Sequence, residues 1–260
     1  MKITLLQQDT AWQSPQFNLR KVGEAIDRSL GSDLYLLPEM FTTGFLTYPQ
    51  WFAEHASNPD TLQWMKQKAA EIDGAICGSI AVEDKGKYYN RMYFVEPNGN
   101  VTHYDKSHLF TYGGEGKQYT AGDDRVIVEF RGVKILLEIC YDLQFPMWSR
   151  NNADAEGNIL YDLIVYSANY PSVRKAAWET LPVARAVENQ CYVAACNRIG
   201  TDDYGEYYGG SRIIHPYGHT IAEGPVNTEC EITGEIDMPT LIRYRKKYPT
   251  LQDIVWNKFY

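Results

Sequence analysis

Four polar or nucleophilic side chains of this 260-residue sequence each stand where a short apolar segment ends: Glu39, Lys106, Cys140 and Asn169. A carboxylate in such a place is costly unless it is solvated, paired or catalytic. Each residue alone is weak evidence, because charges often end strands and most cysteines are packed core thiols. Ligands and nucleophiles collect at the carboxyl ends of strands in open α/β folds, so the four positions together indicate one constellation.

Acyl transfer through a thioester is the chemistry that suits these side chains. The thiol of Cys140 must lose its proton to become a good nucleophile, and Glu39 could accept that proton. The tetrahedral intermediate then carries negative charge on the former carbonyl oxygen. The ammonium of Lys106 and the backbone N–H of Tyr141 could stabilise this charge. The leaving amine also needs a proton, which makes a second acid desirable.

Other arrangements of reactive residues do not have suitable spacing. His215 and His219 would form a metal-binding pair on a helix, but a proline and a glycine between them predict a turn. Cys191 and Cys196 are predicted on opposite faces of a strand, which makes a poor metal pair. The sequence contains no GxSxG serine motif and no phosphate-binding loop.

The charge balance and the cysteine usage restrict the partners and the compartment. With 25 basic and 33 acidic residues the net charge is −8, and an acidic surface repels nucleic acid. The basic run at residues 243–247 is better explained as a solvated face or a subunit contact. Five cysteines form no regular disulfide framework, which favours a reducing compartment. No apolar run approaches the length of a membrane span or of a signal-peptide core, so we expect a cytoplasmic protein without a membrane partner.

The elements that must position the four side chains alternate between strands and helices. Predicted strands cover residues 3–6, 34–37, 75–82, 88–95, 101–104, 126–130, 133–139, 163–167, 191–197, 213–214, 220–221 and 231–236. Predicted helices cover residues 18–30, 61–72 and 176–189. The alternation is typical of an α/β layered fold, and the hairpins at 88–104 and 126–139 favour mixed sheets. Without a linker or repeat, residues 1–260 are predicted to form one domain.

Several segments of the chain resemble the signature motifs of the nitrilase superfamily. LLPEMF at 36–41, YDKSHLF at 104–110 and ICYDLQFP at 139–146 contain a glutamate, a lysine and a cysteine in the order of that family. Their spacings of 67 and 34 residues also suit it. SANYP at 167–171 and ARAVENQ at 184–190 match as well, so that the resemblance extends over nearly the whole chain.

This resemblance implies both a fold and a catalytic triad. The fold would be an α-β-β-α sandwich with two mixed sheets between helical layers, assembled as a homodimer or a higher homo-oligomer. Glu39 would be the general base, Lys106 would stabilise the oxyanion and Cys140 would be the nucleophile, with no metal and no organic cofactor. Glu115 matches the second glutamate of the family, which implies a role in positioning or proton transfer.

Within the superfamily, the chain resembles the ω-amidases most, which implies a small-molecule amide substrate. Such enzymes convert short dicarboxylic monoamides, for example 2-oxoglutaramate or succinamate, to the dicarboxylate and ammonia. A free carboxylate needs a cationic or N–H-rich end of the pocket, for which Arg174 is a candidate, although a surface arginine is equally compatible with the sequence. Phe45, Tyr141 and Asn169 are further candidates for substrate contact. The family commonly has arginine at Gln144, so the packing behind the nucleophile or the substrate class is expected to differ here.

Three alternatives stand beside the amidase hypothesis. Another activity of the nitrilase type, on a nitrile, carbamoyl or ureido substrate, would use the same triad. An inactive interaction module would not need to keep Glu39, Lys106 and Cys140. A cysteine protease would need a histidine base, and no histidine stands in a convincing place.

Overall fold

Two mixed β-sheets contain most of the strands in the computed structural model, which describes residues 1–154 and 156–254. The strands are β1 (Lys2–Gln7), β2 (Leu34–Leu36), β3 (Glu54–His55), β4 (Ala75–Asp84), β5 (Lys87–Val95), β6 (Val101–Asp105), β7 (Ile127–Phe130), β8 (Val133–Ile139), β9 (Leu163–Ala168), β10 (Tyr192–Asn197), β11 (Ile199–Asp202), β12 (Gly205–Tyr208), β13 (Arg212–Ile214), β14 (Thr220–Glu223) and β15 (Cys230–Glu235). The α-helices are α1 (Pro15–Arg28), α2 (Asp60–Ile72), α3 (Lys175–Glu188) and α4 (Met238–Lys247). Short 3-10 helices cover Pro49–Trp51, Glu115–Lys117, Cys140–Gln144 and Ser172–Arg174.

The order of the strands decides which residues meet at the sheet edges. The first sheet has the order β15-β1-β2-β4-β5-β6, in which β1, β2 and β4 are parallel and β3 pairs with β4. Strand β5 is antiparallel to both β4 and β6, so that β2 and β6 run in the same direction. The second sheet has the order β14-β13-β10-β9-β8-β7, with β8, β9 and β10 parallel. Residues that directly follow β8 and β9 are therefore neighbours.

The two sheets pack face to face, and helices cover the first sheet on its other side. Ile3 and Leu5 of β1 belong to a core shared with β8, β9 and β10. Leu6, one residue further, belongs to a second core with Val22 of α1 and Met65 of α2, because side chains alternate between the faces of a strand. Apolar residues of α3 and α4 pack on the second sheet. This layering confirms the predicted α-β-β-α sandwich with mixed sheets.

The helices predicted from apolar periodicity are present with shifted ends. Helix α1 begins at Pro15, three residues before the predicted start, because proline fits the first turn of a helix. Helix α3 contains Pro182 as predicted. The basic run at 243–247 is the C-terminal end of α4, in which Arg245 is largely buried and pairs with Asp162. The N-cap Asp237 of this helix accepts a hydrogen bond from the backbone N–H of Thr240 at 3.1 Å. None of the helices in residues 1–154 and 156–254 is long and apolar enough to cross a membrane.

Three strands and one α-helix were not predicted from the sequence: β3, β11, β12 and α4. Strand β3 has two residues, which is too short for a pattern. Strands β11 and β12 form a separate hairpin of mostly polar and aromatic residues, without an apolar run. Helix α4 fully buries only Leu241 among its residues and exposes the apolar Ile242, so its apolar stripe is weak.

Candidate active site

The structure brings the four strand-end residues together in one pocket. Glu39 follows β2 and Lys106 follows β6 in the first sheet, whereas Cys140 follows β8 and Asn169 follows β9 in the second. All four side chains line the same pocket. Each sheet therefore contributes half of the site, at the edge where the strands end.

The ammonium of Lys106 lies between two carboxylates in the interior of the protein. Its Nζ donates to Oε1 of Glu39 at 2.8 Å and to Oε2 of Glu115 at 2.9 Å. The three side chains are shielded from solvent. A buried cation needs such partners, since an unpaired charge in the interior would be very costly. The pairing fixes Lys106 in one position beside the pocket.

The charges of this cluster shift its protonation equilibria. Burial opposes the charged form of Lys106, but Glu115 and Glu39 outweigh it and raise the pKa of Lys106 well above its ordinary value. Burial, helped by the charge of Glu39, raises the pKa of Glu115 despite the opposing effect of Lys106. The two carboxylates thus favour the ammonium form of Lys106.

Cys140 occupies a strained turn directly after β8. Its φ angle is 45°, in the left-handed region that non-glycine residues rarely adopt. Burial and the charge of Glu39 raise the pKa of the Cys140 thiol well above its ordinary value, although Lys106 acts in the opposite direction. The thiol is therefore protonated at neutral pH, and its activation requires a base within reach.

Two asparagines orient the carboxylate of Glu39. The backbone N–H of Asn169 donates to Oε2 of Glu39 at 3.0 Å, and Nδ2 of Asn90 donates to Oε1 at 2.8 Å. Nδ2 of Asn90 also lies 3.0 Å from Oε1 of Glu115, so it contacts both carboxylates. Asn90 was not predicted from the sequence. It is a fully buried polar residue between Tyr89 and Arg91 in β5, and no local sequence pattern marks it as part of the site.

The side-chain amide of Asn169 points into the site without a protein partner. Its Nδ2 and Oδ1 atoms are both buried and form no hydrogen bond with the described residues. Buried polar groups are normally satisfied, and because Asn169 lines the pocket, its amide is accessible to a molecule that enters there. This amide can donate to or accept from a small ligand.

The walls of the pocket are aromatic. They include the rings of Phe45, Phe110, Tyr141, Tyr170, Tyr204 and Tyr207. The pocket encloses about 440 Å³ of empty space, a volume that includes its open mouth. Tyr204 and Tyr207 belong to the hairpin of β11 and β12, which the sequence analysis did not predict, and both bond to Asp202.

Arg174 supplies a second cation to the pocket. Its guanidinium lies 5.4 Å from the ring centroid of Tyr141, 5.7 Å from that of Tyr170 and 5.8 Å from that of Phe110. It forms no ion pair with a carboxylate in the part of the chain that the structure describes, whereas Lys106 has two. Arg174 therefore keeps its charge available for an anionic ligand.

The remaining predicted residues also lie at or behind the pocket. The ring of Phe45 is 5.7 Å from Nζ of Lys106. Glu115 does not line the pocket; its Oε2 accepts from the backbone N–H of Phe110 at 2.6 Å. Gln144 donates a hydrogen bond to the hydroxyl of Tyr170. This bond is neutral, so Gln144 adds no charge to the part of the pocket that contains Arg174.

The metal-binding alternatives remain unsupported by the geometry of the described residues. His215 and His219 lie in the turn between β13 and β14, as predicted, with their rings stacked at 4.3 Å. Residues 1–154 and 156–254 contain no group of three or more His, Cys, Asp or Glu side chains placed to hold a metal ion.

The sequence and the fold are similar to those of known proteins. Residues 2–246 match the family model for carbon-nitrogen hydrolases. The chain is 44% identical over 254 residues to the omega-amidase YafV of Escherichia coli (strain K12), covering 97% of this chain and 96% of that protein. It is 35% identical over 257 residues to the 2-oxoglutaramate amidase of Bacillus subtilis (strain 168), again covering 97% and 96%.

A solved structure agrees with the sequence matches. The crystal structure of XC1258 from Xanthomonas campestris, a CN-hydrolase superfamily protein with an arsenic adduct in its active site, superposes with a TM-score of 0.94. The sequence identity is 38%, and the match covers 98% of this chain and 97% of that one.

Proposed function

Since the chain belongs to the carbon-nitrogen hydrolase family, within the nitrilase superfamily, we propose that it hydrolyses short dicarboxylic monoamides, such as 2-oxoglutaramate or succinamate, to the dicarboxylate and ammonia. The family and its amidase members make the protein a hydrolase of carbon–nitrogen bonds other than peptide bonds. The observation that carries the finer proposal is the presence of Cys140, Glu39, Lys106 and Arg174 around one small pocket, where Arg174 has no carboxylate partner among the described residues.

The first half of the reaction forms a thioester. The carboxylate of Glu39 takes the proton of the Cys140 thiol while the sulfur attacks the amide carbon. The carbonyl oxygen becomes an anion that the ammonium of Lys106 and the backbone N–H of Tyr141 stabilise. Tyr141 is the second residue of a 3-10 helix, where N–H groups have no helical acceptor. Glu39 then returns its proton to the leaving nitrogen, and ammonia departs.

The second half of the reaction restores the thiol. Glu39 removes a proton from water, and the resulting hydroxide attacks the thioester carbon. The same donors hold the second oxyanion, whose collapse breaks the carbon–sulfur bond. The sulfur recovers a proton from Glu39, and the free acid leaves and ionises, which converts the released ammonia to ammonium. One amide and one water thus give one carboxylate and one ammonium ion.

We assign to Glu115 a positioning role. It is fully buried, it bonds to Lys106, and it lies behind the pocket wall instead of lining it. Proton transfer to a substrate would require contact with the pocket. Glu115 and Glu39 together hold Lys106 at the place where the oxyanion forms.

The free carboxylate of the substrate would bind Arg174. The three aromatic rings around the guanidinium hold it without neutralising it, so its donors remain free. The unpartnered amide of Asn169 would bond to the reacting amide or to the acyl chain. Aromatic walls of Phe45 and Tyr204 would limit the length of the chain that fits.

A matched pair of amides tests this proposal. Ammonia release is measured with succinamate and with butyramide, which has the same chain length but no carboxylate. We expect kcat/KM for succinamate to be higher by about 30-fold or more, because a hydrogen bond to a charged group contributes about 2 kcal/mol. Arg174→Met should remove most of this preference and leave butyramide hydrolysis nearly unchanged.

Other outcomes would overturn the proposal in specific ways. Equal rates with both amides would refute the specificity for dicarboxylic monoamides and would still support amidase activity. Turnover of β-cyanopropionate or β-ureidopropionate without amide hydrolysis would favour another activity of the nitrilase type. No turnover of any compound, with Cys140 unreactive toward iodoacetamide, would favour an inactive module.

A further inference from the structure

Asp142 is a fully buried carboxylate that connects the lysine segment with the cysteine segment. Its Oδ2 accepts from the hydroxyl of Tyr104 at 2.8 Å and from the backbone N–H of Ile139 at 2.9 Å. Its Oδ1 accepts from the backbone N–H of His108 at 3.0 Å and lies 2.8 Å from Nδ1 of the same residue. Four contacts of hydrogen-bond length thus meet at one side chain.

The partners of Asp142 lie on both sides of Lys106 in the sequence and directly before Cys140. Tyr104 and His108 stand two residues before and two residues after Lys106, whereas Ile139 is the neighbour of Cys140. The hydroxyl of Tyr104 also accepts from the backbone N–H of Ser107 at 3.1 Å, which ties the lysine turn to the same network. Lys106 and Cys140 come from different sheets, so a bond between their segments sets the distance between them.

We propose that Asp142 is the positioning residue that fixes the Lys106 turn against the Cys140 turn across the two sheets. The inference rests on the proposed function, because it concerns the geometry in which the oxyanion is held. Asp142 does not line the pocket and touches no reacting atom. A displacement of about 1 Å at a catalytic group can reduce the rate about 100-fold.

Asp142→Asn tests the proposal with the least change of shape. An asparagine offers one acceptor oxygen and a donor NH₂, so two of the four contacts at Asp142 would lose their acceptor. We expect kcat to fall about 100-fold while KM changes less than about threefold, because the walls of the pocket stay in place. Activity is measured per folded molecule, with the folded fraction taken from circular dichroism at the assay temperature.

Alkylation of Cys140 gives a readout that needs no substrate. Lys106 lowers the pKa of the Cys140 thiol, so its displacement raises that pKa further and slows the reaction with iodoacetamide at neutral pH. We expect Asp142→Asn to slow alkylation of Cys140 about tenfold, roughly one pKa unit. Peptide mass spectrometry distinguishes Cys140 from Cys230, a half-buried cysteine whose rate should stay unchanged as an internal standard.

Asp162→Asn is the matched control. Asp162 is also a buried carboxylate, and it accepts from the backbone N–H of Lys134 at 3.1 Å and from Arg245 at 2.6 Å. Lys134 lies six residues before Cys140 along β8, about 20 Å away. This variant should lower stability and leave kcat and alkylation of Cys140 unchanged.

Two results would overturn the positioning role. One is a kcat for folded Asp142→Asn equal to that of the Asp162→Asn control. The other is alkylation of Cys140 that is as fast as in the wild type or faster. If the wild-type chain hydrolysed no monoamide, the proposed function would fail, but the alkylation rates would still decide whether Asp142 holds Lys106 near Cys140.

Discussion

Nζ of Lys106 lies 2.8 Å from Oε1 of Glu39, and both side chains are shielded from solvent. The group that we assign as the base is therefore already ion-paired with the group that we assign to the oxyanion. When Glu39 takes the proton of the thiol, its negative charge disappears, and the attraction that held Lys106 toward it weakens. The positive charge is then free to act on the new oxyanion, in step with its formation.

Replacing the ammonium should damage both activity and stability. In Lys106→Met the carboxylates of Glu39 and Glu115 would face each other without a cation, at a cost of about 3–5 kcal/mol of unfolding free energy. Ammonia release should fall at least about 100- to 1,000-fold through loss of oxyanion stabilisation. Urea unfolding and steady-state kinetics measure the two effects.

Lys68→Met serves as the control for that variant. Lys68 is also largely buried and pairs with two carboxylates, Asp27 and Glu71, but it lies on helix α2. The Lys68→Met variant should lose some stability and keep the kcat of the wild type. Normal turnover in folded Lys106→Met would contradict the oxyanion role.

The covalent intermediate predicts a specific mass. Acid quenching of the wild-type enzyme during turnover of succinamate should reveal protein that is heavier by the substrate minus ammonia, on the peptide that contains Cys140. Cys140→Ala should neither form this adduct nor release ammonia, and Cys230→Ala should do both. Ammonia release by Cys140→Ala would exclude the thioester.

Asn169→Ala should lower the activity of the protein and leave its stability nearly unchanged. The side-chain amide of Asn169 has no hydrogen-bond partner among the described residues, and the bond to Glu39 comes from the backbone N–H, which alanine keeps. We expect the unfolding free energy to change by less than about 1 kcal/mol, and kcat/KM to fall about tenfold through one lost hydrogen bond to the substrate. An unchanged kcat/KM would show that this amide does not contact the substrate.

The pH dependence of stability should report on Glu138. Burial, with a contribution from the charge of Asp142, raises the pKa of Glu138 from 4.5 to about 8, although bonds to Ser149 and Tyr166 and the charge of Arg185 oppose the shift. Folding therefore favours the protonated form. The stabilisation is complete below pH 4.5, the value of the unfolded chain, and is lost as the pH rises to about 8.

Glu138→Gln tests this pH dependence, because glutamine stays neutral. Between pH 4.5 and about 8 the wild type should lose unfolding free energy on the order of 4 kcal/mol relative to the variant. Glu129→Gln, which changes an exposed carboxylate on the neighbouring strand β7, should follow the wild type. Parallel curves for the wild type and Glu138→Gln would contradict a protonated Glu138.

The sequence predicted the parts of the molecule that depend on local patterns. Apolar runs placed the central strands, and the polar residues that end them marked Glu39, Lys106, Cys140 and Asn169. The structure brings all four to one pocket, because β2 and β6 run in the same direction in one sheet and β8 and β9 are parallel in the other. Their assigned roles stay predictions.

The parts that were missed depend on contacts between distant segments. Asn90 acts through Glu39 and Glu115, and no pattern within β5 reveals those partners. Tyr204 and Tyr207 reach the pocket because the hairpin of β11 and β12 leaves both large sheets. The segment that contains these two tyrosines lacks the alternating apolar pattern that predicts a strand. The hydrogen bond from Gln144 to Tyr170 likewise could not be predicted without the fold.

Because Glu39 and Lys106 come from one sheet and Cys140 and Asn169 from the other, catalysis depends on how the two layers are registered. A small slip of one sheet along the other would keep the hydrogen bonds within each sheet and still separate Glu39, the proposed base, from the sulfur of Cys140. Mild heating or a low concentration of denaturant should therefore abolish ammonia release before the circular dichroism changes. The rate of ammonia release would therefore report on the packing of the two sheets against each other.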